Sequence, residues 1–544
     1  MKGLISIVFI FFAFGFQSQV DKPPKLIVGI VVDQMIYDYL YRYQDRFGKK
    51  GFNLLMKKGA SCTNAAYSYV PTYTGPGHAS IYTGTVPSNH GIVGNEWFDR
   101  KSGEVVNCVT DSNYFSVGTE SNYGLRSPAN LTCMTITDQL KYNSPKSKVV
   151  SLSIKDRSAI LPGGHKPDGC YWFDYLSGHF ITSQYYTQDL PEWVKEFNAL
   201  NYPIEAMKKT WNSLYPIETY VASGPDDSPY EILLPTKETP TFPYDFAKMT
   251  GGKTDMSLFT TTPFANTYLT DMAIASLVQE NMGRNGFTDM LCLSYSSTDI
   301  LGHGFGTRSI EIEDMYLRLD LEIEKLIKAI KKQVGNDFTL FLTADHAVVP
   351  TPQELMDKNM PGGYIFLNPL MTDLSDLVKA KFGADFILRL ENLNIYLDNE
   401  VMEFMGVKKT KLESFIQEEI SKWEGVKGVF TTTELQSNSI DSKHIQMVKA
   451  GYDDYRSGNV IFTLLPGFLP KYKDTELSRK GTSHGSAHNY DTHVPLIFFG
   501  KNIEPQQISR RVDISDIAVT LSQLLQMQKP FCSDGEPIIE ILAK

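Results

Sequence analysis

Three stretches of this sequence share one form, a short apolar run, rich in β-branched residues or phenylalanine, that leads into an acid. Residues 25–33 end at Asp33, residues 290–294 lead to Asp299, and residues 338–343 lead to Asp345. Apolar runs without alternation are strands buried on both faces, which requires a sheet covered by helices on both sides. A fourth strand is predicted over residues 148–154, running into Lys155, Asp156 and Arg157. The fold class that follows is α/β, with a mostly parallel central sheet flanked by helices. Open sheets of this class place their sites at the carboxyl ends of the strands, which is where the three acids stand.

Helices are predicted over residues 37–58, 136–140, 264–282 and 516–525, the last capped by Ser515 or Asp513. Ile312, Tyr316, Leu319, Ile323, Ile327 and Ile330 mark one face of a further long helix. Two regions interrupt the regular order and are expected to cap the site. Residues from 160 to about 260 are rich in aromatics, proline and glycine, with Trp172, Tyr185, Tyr186 and Trp193 expected mainly to pack. Residues from about 350 to 474 read as a small α/β insertion, with strands over 392–397, 426–432 and 458–465 and a helix over 412–423.

The net charge of −10 argues against nonspecific nucleic-acid binding. A negative chain that handles anions needs positive charge concentrated locally, and metal ions would supply it. Near the amino end, Lys2 precedes an apolar run from Leu4 to Phe16 and a polar exit at Gln17, the pattern of a secretory signal peptide. Residues 1–18 are therefore expected to be removed, with Ser18 or Gly15 last, leaving a catalytic domain over 21–544. The run is shorter than the roughly 20 residues a spanning helix needs. The expectation is a periplasmic or secreted protein with no stable membrane insertion. The six cysteines form no CxxC pair and leave 15 pairings open. Cys292, inside a strand, is expected to be a buried thiol.

Residues 70–84 crowd hydroxyls and glycines before a short helix, with Pro76 in its first turn and Thr74 immediately before it. A threonine there is a helix cap or a nucleophile. Asp33, Asp299, His303, Asp345, His346 and His484 together offer carboxylate and imidazole donors at strand ends. Zinc takes such donors, usually four at a time. Six protein ligands, with a nucleophile, suit two metals, and a pair about 4 Å apart holds the attacking and leaving oxygens of a phosphoryl displacement. The Thr74 hydroxyl, bound there, would need no histidine base. Lys155 and Arg157, on one side of an extended strand exit, form either an anion clamp or a solvated charge cluster.

The motifs V-V-D-Q-M, P-T-x-T-x-x-G-H, G-N-x-W, K-D-R-x-x-I-L-P, S-T-D-x-x-G-H, A-D-H and G-T-x-H occur in this order along the chain. The chain in this respect resembles the alkaline phosphatase superfamily, in its type I phosphodiesterase/nucleotide pyrophosphatase branch, and there the PafA-like, phosphate-irrepressible alkaline phosphatases. The resemblance implies one zinc on Asp299, His303 and His484, and a second on Asp33, Asp345, His346 and the Thr74 oxygen. It implies that Thr74 forms a phosphothreonine intermediate, and that Asn95, Lys155 and Arg157 hold the phosphoryl oxygens. His78, His488 and His493 are expected to be structural. Two departures stand out: Ala347 where relatives commonly carry glycine, a residue that would strain a left-handed backbone, and Gly75-Pro76 after the nucleophile.

The expected activity is hydrolysis of small-molecule phosphate monoesters by a monomer, because two cations and an amide suit a dianion better than a diester. The alternatives are a phosphodiesterase or nucleotide pyrophosphatase using the same bimetal site, and a non-catalytic metal- or phosphate-binding homologue.

Overall fold

In a computed structural model, which describes residues 22–437 and 442–542, the chain is built around an eleven-stranded sheet. The stretch expected as a signal peptide lies outside the described residues. Five central strands run parallel, in the spatial order Phe338–Thr343, Leu26–Val32, Asp289–Tyr295, Val149–Ser153 and Gly169–Phe173. Antiparallel neighbours flank them, His493–Gly500 on one side and Phe180–Ser183 on the other. All seven residues of the Leu26–Val32 strand are buried, as its unbroken apolar run requires.

The register explains why the site forms where it does. Ser153, Ser294, Val31 and Thr343 are aligned across four parallel strands. Two residues further on, the same row carries Lys155, Ser296, Asp33 and Asp345. Four distant stretches of sequence thus meet on one line at the carboxyl edge.

The sheet packs against helices Thr74–Thr83, Pro263–Gln279, Ile310–Val334 and Asp516–Leu524. Ile312, Tyr316, Leu319, Ile323, Ile327 and Ile330 are all buried in the Ile310–Val334 helix. Residues 363–471 stand apart from this sheet. Four antiparallel strands, ordered Ile387–Glu391, Asn394–Leu397, Val460–Leu464 and Val426–Thr431, pack helices Leu367–Phe382 and Lys409–Ile420 over a separate core that includes Leu374, Ile395, Ile416 and Phe462. The unit reaches back to the site edge, where Asn392 Nδ2 donates to the Glu96 carbonyl at 2.8 Å.

Three sequence expectations need correction. The helix predicted over 37–58 is two short ones, Tyr39–Arg42 and Phe52–Lys58, joined by a loop whose backbone N–H groups at Gly48 and Phe52 are bound by the Asp320 carboxylate. The irregular region expected from 160 begins later, because Gly169–Phe173 and Phe180–Ser183 belong to the main sheet. Trp172 lies buried in the first of these and donates its Nε1–H to the Tyr123 carbonyl. Helix Asp516–Leu524 receives no cap bond from Ser515; Asp513 instead accepts from the Ser515 N–H at 3.2 Å.

One disulfide, Cys133–Cys532, joins residues 399 apart in sequence, and Cys62, Cys108, Cys170 and Cys292 are buried thiols. Burial pushes Cys292 up to about 12, so it stays protonated.

Candidate active site

Thr74 is the first residue of the Thr74–Thr83 helix rather than the residue before it, and Tyr73 precedes it without a capping side chain. Its hydroxyl therefore caps nothing. Thr74 Oγ1 instead lies 3.5 Å from His346 Nε2 in the buried interior of the site. Gly77 makes this approach possible, since a Cβ there would meet the Asp345 carbonyl oxygen at 2.2 Å. His78, one turn on, bonds the Thr74 carbonyl through Nδ1 at 2.8 Å and the Ser294 hydroxyl through Nε2 at 2.8 Å.

The six acid and histidine positions converge on the same volume. Donor atoms of Asp33, Asp345 and His346 lie within 4.8 Å of one another, and so do those of Asp299, His346 and His484. His346 is thus shared between two triads. His303, expected with Asp299 and His484, stands just outside the second triad with Nε2 3.1 Å from Asp299 Oδ1. It is also the most open of the set, its side chain 40 % exposed against 0 % for His346. His488 and His493 bond the carbonyls of Leu464 and Thr63 and take no part in either triad.

The donor set fits metal ions. Each of the three imidazoles donates its Nδ1–H to a backbone carbonyl: His303 to Thr482 at 3.1 Å, His346 to Ala347 at 3.1 Å and His484 to Thr72 at 2.7 Å. At His346 and His484 that tautomer leaves the Nε2 lone pair facing the cluster, as metal-binding histidines require; at His303 the opposing effect of burial is outweighed by Asp299, which raises the pKa, and Nε2 faces the Asp299 carboxylate. Burial pushes His484 down to about 3 and His346 well below its ordinary value, so both imidazoles are neutral. Asp33 Oδ1 and Asp345 Oδ2 are buried oxygens with no hydrogen-bond donor, a costly arrangement unless a cation completes it. Burial raises Asp33 to about 6, and burial with Asp33 beside it raises Asp345 well above the usual carboxylate range. Asp299 goes the other way: burial opposes its charge, but His303 and Lys155 outweigh it and hold the carboxyl well below its usual range.

Lys155 is not an outward-facing charge. It precedes the Asp156–Gly163 helix, and its Nζ reaches Asp33 Oδ2 at 2.7 Å and Asp299 Oδ2 at 2.5 Å. Lys155 is still extended, at φ −82° and ψ 137°, but the helix begins at Asp156, so the strand alternation does not carry on to Arg157. Arg157 lies against Asp156 at 3.6 Å and leaves a buried Nε without a partner. Asn95 accepts the Gly75 N–H through Oδ1 at 2.7 Å, which orients its amide and leaves Nδ2 as the donor for a ligand.

Ala347 is buried, outside the left-handed region, and donates its N–H to the Asp491 carbonyl. Alanine is therefore accommodated without strain. Gln34, next to Asp33, does adopt a left-handed backbone, with φ 66°. Its Nε2 donates to Asp299 Oδ1 at 2.5 Å and its N–H to Asp345 Oδ1 at 3.3 Å. Gln34 lies in the V-V-D-Q-M motif, which marks the position but not this role.

The sequence profile of the type I phosphodiesterase / nucleotide pyrophosphatase family matches residues 27–491. Alkaline phosphatase PafA of Elizabethkingia meningoseptica is 40 % identical over 100 % of this chain and 99 % of its own. Alkaline phosphatase PhoV of Synechococcus elongatus is 40 % identical over 95 % and 93 %. A protein of Myroides odoratus named calcium-transporting ATPase is 39 % identical over 99 % and 98 %; among the described residues here no helix is long and apolar enough to cross a membrane. The crystal structure of wild-type PafA covers 96 % of this chain and 100 % of its own with a TM-score of 0.92, and a second PafA structure carries substitutions at a threonine, an asparagine, a lysine and an arginine. The chain belongs to the type I phosphodiesterase/nucleotide pyrophosphatase family and, within it, to the group of the PafA and PhoV alkaline phosphatases.

Proposed function

We propose that this phosphatase hydrolyses phosphate monoesters with two zinc ions in the cluster and Thr74 as the nucleophile. The observation that carries the reading is the Thr74 hydroxyl, free of any capping role, 3.5 Å from His346 Nε2 and inside a nest of three carboxylates and three histidines. Asp299, His303 and His484 would hold one ion, and Asp33, Asp345, His346 and the Thr74 oxygen the other. Bound there, the ions supply the positive charge that lowers the hydroxyl pKa of Thr74 and offsets charge on the departing oxygen.

Thr74 Oγ1 attacks phosphorus in line as the bond to the leaving alcohol oxygen breaks, giving a phosphothreonine. Water then attacks the same phosphorus, releases phosphate and returns the hydroxyl. Lys155, Arg157 and the Asn95 Nδ2 donate to the non-bridging oxygens, and their number decides the ester class. A monoester dianion presents three such oxygens and accepts all three donors. A diester replaces one of them with a bulky substituent and meets a buried lysine instead. The same four residue types, threonine, asparagine, lysine and arginine, are those altered together in the second PafA structure, which supports their joint role.

Most of the binding is then to the phosphoryl group, so a broad range of leaving groups is expected. Periplasmic or secreted placement is supported by the apolar stretch near the amino end and by the Cys133–Cys532 disulfide, a bond characteristic of oxidising compartments. The test is the ratio of kcat/KM for p-nitrophenyl phosphate to that for its bis ester. The monoester is expected to be favoured by several orders of magnitude; comparable values would assign a diesterase.

A further inference from the structure

Asp156, between the two cations Lys155 and Arg157, divides its carboxylate between two arginines. Its Oδ1 accepts the Arg157 N–H at 2.7 Å and lies 3.6 Å from Arg157 Nη1. Its Oδ2 accepts the Arg126 Nε–H at 2.7 Å. None of the three side chains is more than 20 % exposed, so this is not a solvated surface pair. Burial opposes the charge of Asp156, but Arg157 and Arg126 outweigh it and hold the carboxyl below its usual range. Among the described residues no other carboxylate pairs with Arg157.

Arg126 is itself fixed by backbone. It faces Thr110 across a short antiparallel bridge. Asp111 N–H donates to the Leu125 carbonyl and Ser127 N–H to the Val109 carbonyl, each at 3.0 Å. The same segment starts beside another phosphoryl donor: Cys108 N–H donates to the Asn95 carbonyl at 2.9 Å, and a Cβ at Gly75 would meet the Cys108 sulfur at 3.2 Å. One loop, residues 108–126, thus holds Asn95 at its start and reaches Arg157 through Asp156 at its end.

Arg157 carries a long, rotatable side chain two residues from the like charge of Lys155. The helix turn fixes its backbone but not its guanidinium. A carboxylate pinned by Arg126 supplies both a counter-charge and a fixed direction; one free to rotate supplies neither.

We propose that Arg126, acting through Asp156, is a positioning residue that sets Arg157 for the phosphoryl group and so sharpens the preference for monoesters over diesters. The proposal rests on the assignment of Arg157 to the non-bridging oxygens. A monoester dianion engages all three donors and loses most when one of them drifts, whereas a diester, with fewer charged oxygens to hold, loses less.

The test is a double-mutant cycle on the zinc-replete full chain, read as kcat/KM for p-nitrophenyl phosphate and for its bis ester. Arg126→Ala is expected to lower the monoester value by about 10- to 100-fold, the scale of a misplacement of about 1 Å. It should affect the diester far less and leave zinc content unchanged, and Arg126→Lys should recover part of the loss. In an Arg157→Ala background, Arg126→Ala should cost nothing further. If Arg126→Ala does not fold, Asp156→Asn takes its place in the cycle with the same expectations. Losses that multiply, or equal losses for both esters, mark a purely structural role and overturn the proposal. Wild-type activity in Arg126→Ala beside an impaired Arg157→Ala overturns it too, while leaving Arg157 in the site. A wild-type value in Arg157→Ala removes the assignment of Arg157, and the proposal with it.

Discussion

Replacing Gln34 separates two effects that the structure superimposes at one residue. The side chain is 4 % exposed and donates a 2.5 Å hydrogen bond to the buried Asp299 carboxylate, while the backbone sits at φ 66°. A hydrogen bond to a charged acceptor contributes about 1.5–3 kcal/mol, which corresponds to about 10- to 150-fold in zinc affinity if Asp299 is a ligand that must be oriented. Loss of a partner behind a metal ligand generally costs about 10–100-fold. Gln34→Ala and Gln34→Gly both remove the bond, so both should show this loss. They differ in backbone. Glycine relieves about 1–2 kcal/mol of left-handed strain and gives back about 0.4–1 kcal/mol through unfolded-state entropy. Gln34→Gly should therefore be the more stable of the two by about 0.5–1 kcal/mol while binding zinc no better. The assay is competition for zinc against a chromophoric chelator, alongside thermal melts. Zinc affinity at the wild-type level in both variants would refute the assignment of Gln34 as the residue that positions Asp299. Affinity restored by glycine alone would show that backbone strain, not the hydrogen bond, is what matters.

Removal of the metal should abolish turnover of p-nitrophenyl phosphate, and added zinc should restore it; turnover in a verified metal-free sample would contradict the donor-set argument. His165 supplies a pH test remote from the site. Its Nδ1 bonds Asp138 Oδ2 at 2.8 Å, and this bond raises its pKa above the ordinary value. A raised value means the stabilisation is complete below about pH 6.5 and is lost as pH climbs through the folded-state pKa. The melting-temperature gap between wild type and His165→Ala, about 1 kcal/mol or less for a side chain partly open to solvent, should narrow from pH 6 to pH 9, and a gap constant across that range would speak against it.

Asp33 and Asp345 were legible in the sequence because each acid follows an apolar run and parallel strands of matched register bring such ends together, and Asp299 joins them from the first turn of the helix Ser297–Phe305 that follows its strand. The strand logic holds through Lys155, whose backbone is still extended and whose side chain meets two carboxylates rather than solvent, and fails at Arg157 because helix geometry begins at Asp156. Thr74 looked like a cap because the helix start is set by tertiary contact, Gly77 against Asp345, rather than by a local signal. The Gly169–Phe173 strand is masked because its strand-favouring aromatics stand in a stretch rich in proline and glycine that lacks a regular period. Gln34 stood in the V-V-D-Q-M motif but without a role, because its left-handed backbone and its bond to a residue 265 positions away exist only in the folded chain. The Cys133–Cys532 pairing is of the same kind, a contact across 399 residues that spacing alone does not select.

The account turns on Thr74, and acid quenching of the enzyme during turnover, followed by mass spectrometry of the peptide spanning residues 70–84, tests it most directly. Phosphate on Thr74, absent from a Thr74→Ala variant that still binds zinc and no longer turns over, is the predicted result. A Thr74→Ala variant that keeps wild-type turnover, or phosphate trapped on a different residue, would contradict it.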